Sequence, residues 1–191
     1  VGSLAFQDLV ARHDIDVSYR PVNLLDVFAN AGGKPVKERP PQRQAYRLVE
    51  MQRWRQIRNI PLVLHPRYYP ADPLLGHLML LAAMREGRDV AAFVHAGLKA
   101  VWADELDIAD PDTLVALADR SGLPGRALLA QAEDPELRAR EQALTEEAKA
   151  RQLFGAPYYF YRDEPFWGQD RLDLLDIALR DNRAPILMDP P

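Results

Sequence analysis

Apolar and polar positions follow a helical period from Val1 to His13, and the pattern then changes to strict alternation over residues 15–20. Alternation of this kind is typical of a half-buried strand. A helix followed directly by such a strand is the second part of a β-α-β unit, which needs an earlier parallel strand. We therefore expect one strand and the start of the first helix upstream of Val1, absent from this sequence through truncation, processing or disorder.

Residues 151–180 show the reverse order, from strand to helix. Gly155 and Pro157 end the preceding helix, because glycine accepts a left-handed cap and proline donates no helical hydrogen bond. The aromatic run at 158–161 favours a strand, and the polar residues 162–165 predict a turn into a second strand. An apolar helical face then follows an acidic start. An X-Pro bond before a hairpin and a terminal helix resembles the second half of a thioredoxin fold.

The centre of the chain is predicted to be helical. Three Asp-Pro pairs place a side-chain acceptor before a proline, the arrangement of a helix N-terminus. The pairs are Asp72-Pro73, Asp110-Pro111 and Asp134-Pro135. Residues 20–25 lead into a short predicted helical stretch that ends at Asn30, and longer helices are predicted near residues 42–59, 73–86, 89–103, 111–120, 124–132 and 135–151.

The predicted fold is therefore α/β, a thioredoxin-like fold with its first strand missing and an all-helical insertion of roughly 100 residues. Residues 1–35 and 152–182 form the N-terminally incomplete thioredoxin-like domain, and 36–151 form the mostly helical insertion. Residues 183–191 form a C-terminal tail, which with its three prolines is expected to lie over the surface or to fray.

Composition narrows the function classes. A formal net charge of -4 over 191 residues, without any basic run, gives no support for nucleic-acid binding. No apolar stretch approaches the roughly 20 residues that span a bilayer, and no leader is visible, so no membrane partner and a cytoplasmic location are expected. The absence of cysteine excludes disulfides and a Cys-X-X-Cys within this sequence. Four scattered histidines predict no metal site.

Candidate chemistry appears where the last strand meets the last helix. Asp170 at a helix start can bind an ammonium group, and nearby backbone N–H groups can bind a carboxylate. This pair suits the amino-acid end of a peptide-like ligand; the alternative is that Asp170 only caps the helix. Ala156-Pro157 is expected to be trans on frequency alone. Ser3 lies in a helix with no base nearby and is not nominated as a nucleophile.

A second candidate site, for binding an anion, lies on the helix predicted at 42–59. Arg43 and Tyr46 share one face, as do Glu50 and either Arg53 or Trp54. A cation and a phenol beside an indole would make an anion pocket with an aromatic wall. The alternative is a solvated charged face with Trp54 in the core, and Trp102 is likewise more typical of packing.

Several short segments, spread over nearly the whole chain, carry a family resemblance. They are Arg20–Leu24, Ala31–Pro35, Tyr46–Trp54, Ile60–Leu62, Trp102, Asp107–Pro111, Phe154–Pro157 and Phe166–Leu172. In this order they resemble the 2-hydroxychromene-2-carboxylate isomerases, relatives of kappa-class glutathione transferases and of the DsbA branch of thioredoxins. The two C-terminal segments, in their spacing, are the more specific ones.

The resemblance implies a glutathione cofactor and a role for particular residues. Pro157 would follow a cis bond, with the Ala156 backbone pairing with the cysteinyl part of glutathione. Gln169 and Asp170 would hold the γ-glutamyl end, and Arg43 would bind the glycyl carboxylate. The aromatic substrate would lie near four residues: Tyr46, Arg53, Trp54 and Trp102.

The implied activity is cis-trans isomerisation of a small aromatic carboxylate in aromatic-hydrocarbon catabolism, by a homodimer. Two departures are visible: Gly33 stands where the family often has asparagine, and the catalytic serine of the family would fall upstream of Val1. The catalytic residue of this chain is therefore unknown and is serine or cysteine. Three alternatives remain: a kappa-type transferase, a DsbA-like oxidoreductase with an upstream Cys-X-X-Cys, and a non-catalytic binding or scaffold protein.

Overall fold

A computed structural model describes residues 1–189 of the chain. Helix α1 (Ser3–His13) and helix α2 (Leu24–Asn30) are joined by an extended segment. The segment alternates between exposed and partly buried residues from Asp14 to Arg20, as the sequence pattern predicted. It is not a strand, however, because no neighbouring strand within residues 1–189 forms a hydrogen-bonded ladder with it. The prediction of partial burial is confirmed, and the predicted parallel pairing, whose partner strand was placed upstream of Val1, stays a prediction.

The helical part follows the predicted boundaries closely. Its helices are α3 (Pro41–Ile57), α4 (Leu74–Arg85), α5 (Ala91–Trp102), α6 (Pro111–Arg120), α7 (Gly125–Gln131) and α8 (Pro135–Ala150). The Asp110 and Asp134 side chains accept from backbone N–H groups in the first turns of α6 and α8, as predicted. At α4 the cap is shifted by one residue, since Asp72 accepts from the Leu74 N–H at 3.0 Å.

A two-stranded antiparallel sheet follows the helical part. Strand β1 (Tyr158–Tyr161) pairs with strand β2 (Glu164–Trp167), with Tyr158 opposite Trp167. The turn between them contains only Arg162 and Asp163, both with positive φ, so the predicted four-residue turn was too long. A 3₁₀ turn over Gln169–Arg171 then precedes helix α9 (Leu172–Asp181).

Two hydrophobic cores hold these elements together. The larger one lies among the central helices, and the smaller one joins α1, the sheet and α9. In the smaller core the Phe6 and Tyr159 rings pack with centroids 4.9 Å apart. The start of α2 is tied to α8 by Thr145, which accepts from the Asn23 N–H at 2.9 Å. None of the helices in residues 1–189 is long and apolar enough to cross a membrane.

The C-terminal tail lies over the surface, as expected, and is held there by a buried carboxylate. Glu164, which is 5% exposed, accepts hydrogen bonds from Arg183 at 2.6 and 2.7 Å. It also accepts from the backbone N–H of Ile186 at 3.0 Å. Tail residues Pro190 and Pro191 lie outside the described part of the chain.

This ion pair, with its buried carboxylate, makes stability depend on pH. Arg183 holds the pKa of Glu164 below its ordinary value, so the carboxylate stabilises the fold above its unfolded pKa of about 4.3. That contribution is lost as the pH falls through the lower folded pKa. Glu164→Gln should lower the free energy of unfolding at pH 7 by roughly 2 kcal/mol, the value of charged hydrogen bonds.

Urea unfolding of wild type and variant at a series of pH values measures this effect, and the difference should shrink progressively as the pH falls below the unfolded pKa of about 4.3 and through the lower folded pKa. Glu133→Gln is the control, because Glu133 is exposed and has no side-chain partner within residues 1–189. A difference that persists unchanged in acid would contradict the assignment to the Glu164 charge.

Candidate functional site

The beginning of α1, the end of α3 and the 3₁₀ turn before α9 meet at one place. Gly2 has ordinary helical angles, yet a Cβ atom built on it would lie 2.5 Å from the Cβ of Gln169. Only glycine therefore allows this close approach. The Gln169 side-chain oxygen accepts from Arg58 Nε at 2.9 Å, and the Gln169 carbonyl accepts from Arg58 Nη2 at 3.4 Å.

Trp54 belongs to the same junction. The Arg58 guanidinium carbon lies 5.1 Å from the centroid of the Trp54 ring, a cation-π arrangement. Trp54 is partly exposed, so it is not a residue of either buried core. The structure thus brings together two predicted residues, Trp54 and Gln169, through an arginine that the sequence did not single out. Arg58 follows Trp54 by four residues, and this helical spacing was the available signal.

The Ala156-Pro157 bond is cis. The trans geometry expected from frequency alone was wrong, and the geometry implied by the family resemblance was right. Both residues are exposed, and the Pro157 carbonyl accepts from the Gly168 N–H at 3.0 Å. This hydrogen bond holds the proline loop directly beside the turn that contains Gln169 and Asp170.

Asp170 does not cap the last helix. The 3₁₀ turn and α9 have no side-chain capping hydrogen bond, so that alternative was wrong. Its Oδ2 instead accepts from Arg171 Nη1 at 2.7 Å, and the side chain is 44% exposed. Gly168, at φ +100°, has no Cβ where the Asp170 carboxylate packs. An exposed carboxylate and an amide side by side have the donor and acceptor set to hold an amino acid's ammonium and carboxylate groups.

The other predicted residues of α3 lie apart from this junction. Arg53 donates to Glu50 and to the Tyr46 hydroxyl, at 3.5 Å for the latter. The Glu50 carboxylate raises the pKa of Arg53 above its ordinary value. This confirms the shared helix face predicted for Glu50 and Arg53. Arg43 is exposed in the first turn of α3, about 22 Å along the helix axis from the level of Arg58.

Trp102, at the end of α5, forms a separate aromatic cluster. Its ring packs against Tyr69 with centroids 4.7 Å apart. The Arg47 guanidinium carbon lies 5.5 Å from the Trp102 ring centroid and 5.6 Å from that of Tyr69. We name this set the Arg47 cluster: Arg47, Tyr69 and Trp102. Arg47 was one cation among several in the sequence, and no local pattern indicated Tyr69.

Ser3 lies beside a potential base. Its hydroxyl lies 2.9 Å from His95 Nδ1 of α5, so the expectation of no nearby base was wrong. Burial, together with the Lys99 charge, lowers the pKa of His95 below its ordinary value and favours a neutral imidazole. The two residues are 92 positions apart, which is why sequence reasoning missed the pair.

Other candidate sites are less suitable. A groove of about 390 Å³ lies between the 18–20 segment, α4 and α8, and contains none of the predicted site residues. Within residues 1–189, no group of three or more histidine, aspartate or glutamate side chains is arranged to hold a metal ion.

Comparison with known proteins relates this chain to one family and to a group of enzymes with similar sequences. Residues 1–180 match the family described as DSBA-like thioredoxin domain. A 2-hydroxychromene-2-carboxylate isomerase of Sphingobium xenophagum is 30% identical over 184 residues, covering 95% of this chain and 91% of the relative. One from Pseudomonas sp. (strain C18) is 32% identical over 135 residues, 70% of this chain and 61% of the relative.

A solved structure supports the same fold. The selenomethionine form of a 2-hydroxychromene-2-carboxylate isomerase superposes with a TM-score of 0.75 at 24% identity, covering 95% of this chain and 88% of the other. Together with the family match, this likeness confirms the thioredoxin-like fold predicted from the sequence. The fold is realised here as mostly helix with one two-stranded sheet.

Proposed function

We propose that this chain, which belongs to the DSBA-like thioredoxin family and to the 2-hydroxychromene-2-carboxylate isomerases within it, is a glutathione-dependent cis-trans isomerase. The relatives named as isomerases support an enzyme of that class. The observation that carries the finer proposal is the junction of Ala156, Gln169 and Asp170. There an exposed cis-proline loop lies beside the exposed Asp170 carboxylate and the half-buried Gln169 side chain.

The residues at this junction fit a γ-glutamyl tripeptide. Asp170 would bind the ammonium group, and Gln169, held by Arg58, would donate to the γ-glutamyl carboxylate. The exposed backbone at Ala156 would pair with the cysteinyl part. Arg43 is proposed from the family for the glycyl carboxylate, although it lies about 22 Å along α3 from Arg58 and an extended tripeptide spans only about 11 Å.

Glutathione, when bound, would supply a thiolate that adds reversibly to a conjugated carbon, so that a double bond becomes a rotatable single bond. The protein's own task is to align the thiol with the reacting carbon of the substrate and to exclude water. A catalytic serine that stabilises the thiolate is proposed from the family, upstream of Val1. Here the neutral His95 and the Ser3 hydroxyl line the adjacent start of α1.

The proposed substrate is a small aromatic carboxylate, an intermediate of aromatic-hydrocarbon catabolism. Tyr46, Arg53, Trp54 and Trp102 are proposed to line its site. The structure divides these residues among three places: Trp54 lies against Arg58, Trp102 against Arg47, and Tyr46 against Arg53. A homodimer is proposed from the family as well, and a cytoplasmic location is proposed alongside it.

The decisive test is the dependence of isomerisation on glutathione. Purified full-length protein is mixed with 2-hydroxychromene-2-carboxylate, and conversion to trans-hydroxybenzylidenepyruvate is followed by absorbance over a range of glutathione concentrations. We expect a rate that rises with glutathione and saturates, with glutathione recovered unchanged. Equal turnover without glutathione would refute the proposed cofactor, and a stable conjugate detected by mass spectrometry would identify a transferase instead.

A further inference from the structure

The Arg47 cluster contains a cation that is fixed in place but not neutralised. The planes of Tyr69 and Trp102 meet at 47°, and the Arg47 guanidinium lies within 6 Å of both ring centroids. Neither contact is a hydrogen bond, so the N–H donors of the guanidinium remain available for a ligand.

Arg47 differs in this respect from its neighbour on the same helix. Within residues 1–189 no carboxylate lies within ion-pair distance of Arg47, and no side-chain hydrogen bond engages its donors. Arg53, by contrast, is paired with Glu50. Tyr69 is 40% exposed, so the cluster is open to solvent on one side. An unpaired arginine held against an open aromatic surface is suited to a planar anion with an aromatic group.

The cluster also lies on the same faces of α3 and α5 as residues that border the proposed cofactor site. Arg47, Trp54 and Arg58 are seven and four residues apart, so they share one face of α3. Arg58 contacts Gln169 at one end of this face, and Arg47 lies about 16 Å along the axis at the other. On α5, Trp102 follows His95 by seven residues and shares its face, and His95 is bonded to Ser3 at the start of α1.

We propose that the Arg47 cluster is the carboxylate-recognition site for an aryl-conjugated 2-oxo acid or its cyclic 2-hydroxy form. The Arg47 guanidinium donates two parallel hydrogen bonds to the carboxylate, and the conjugated system lies against Trp102 and Tyr69. This inference deepens the proposed function and rests on it for the identity of the substrate. It assigns the anion-binding role to Arg47 rather than to Arg53, whose donors are already engaged by Glu50.

The test compares an acid with its uncharged ester. Benzylidenepyruvate and its methyl ester are titrated calorimetrically into wild-type protein, Arg47→Met and Arg47→Lys. For Arg47→Met we expect acid binding to weaken roughly tenfold or more, because a charge-assisted bidentate pair is lost. Ester binding should change less than about twofold, since the alkyl side chain still covers the rings. Arg47→Lys keeps the charge but loses the forked N–H donors of the guanidinium. Its affinity for the acid should therefore lie between those of wild type and Arg47→Met.

Arg126→Met is the matched control. It removes the same charge at an exposed position on α7, where the one ion pair that Arg126 makes within residues 1–189, to Asp112, is itself exposed. It should leave both titrations unchanged, and thermal unfolding of each variant checks that the protein is folded. Equal weakening of acid and ester by Arg47→Met would show a purely packing role and overturn the inference. Unchanged acid binding in both Arg47 variants would overturn it as well.

These titrations need neither glutathione nor turnover. If wild-type protein shows no glutathione-dependent isomerisation but binds the acid through Arg47, the proposed function fails and the carboxylate site stands. If the wild type isomerises and Arg47→Met retains the wild-type KM, the carboxylate site fails and the proposed function stands. A raised KM with little change in kcat supports both.

Discussion

Asp170→Asn is expected to weaken glutathione binding by about tenfold or more. The substitution keeps the shape of the side chain and removes the charge that is proposed to face the γ-glutamyl ammonium group. The carboxylate is 44% exposed and its other partner, Arg171, is exposed too, so solvent partly screens the interaction. Isothermal titration of glutathione into full-length wild type and variant measures the change.

Asp173→Asn is the matched control for this experiment. Asp173 is exposed, lies in the first turn of α9 only three residues away, and makes no side-chain hydrogen bond within residues 1–189. Asp173→Asn removes the same charge as Asp170→Asn, also near the start of α9. It leaves the Asp170 carboxylate and the rest of the junction unchanged. Equal affinities for Asp170→Asn and wild type would remove Asp170 from the cofactor site.

Gly2→Ala should also impair the site, although no polar group is lost. The helical angles of Gly2 suit alanine, so the effect is purely steric: the new methyl group would require the Gln169 Cβ to move away from 2.5 Å. That displacement breaks the hydrogen bond between Arg58 and Gln169. We expect glutathione affinity to fall about tenfold and stability to fall by about 1–3 kcal/mol, as for other overpacked contacts.

Gly97→Ala provides the comparison, because a Cβ built on Gly97 in α5 meets no atom within 4 Å. Removing the backbone freedom of a helical glycine without a clash should leave affinity unchanged and raise stability by up to about 1 kcal/mol. Glutathione titration and chemical unfolding of both variants give the two quantities. Wild-type affinity in Gly2→Ala would show that Gln169 does not need its present position.

Features determined by short stretches of sequence were predictable. Helix α6 begins and ends where its pattern indicated, because the Asp110 cap and Pro111 define its start by local hydrogen bonding. The hairpin over residues 158–167 was located from strand propensity and an adjacent turn. Alternation over residues 15–20 correctly predicted partial burial, because burial depends on each side chain in turn, whereas sheet pairing also depends on the second strand that was predicted upstream of Val1.

The candidate site likewise has one part that the sequence predicted and another part that only the structure revealed. Ala156, Gln169 and Asp170 lie within fifteen residues of one another, so one hairpin brings them together and their grouping was visible in the sequence. The contacts of Gly2 with Gln169, of Ser3 with His95 and of Arg47 with Trp102 join residues from distant elements. Helix packing alone determines them, because spacing along a helix specifies which residues share a face but not what that face meets. By itself the sequence determined the elements, the fold class and the family; the tertiary structure decided which arginine stands over the aromatic rings and why residue 2 must be glycine.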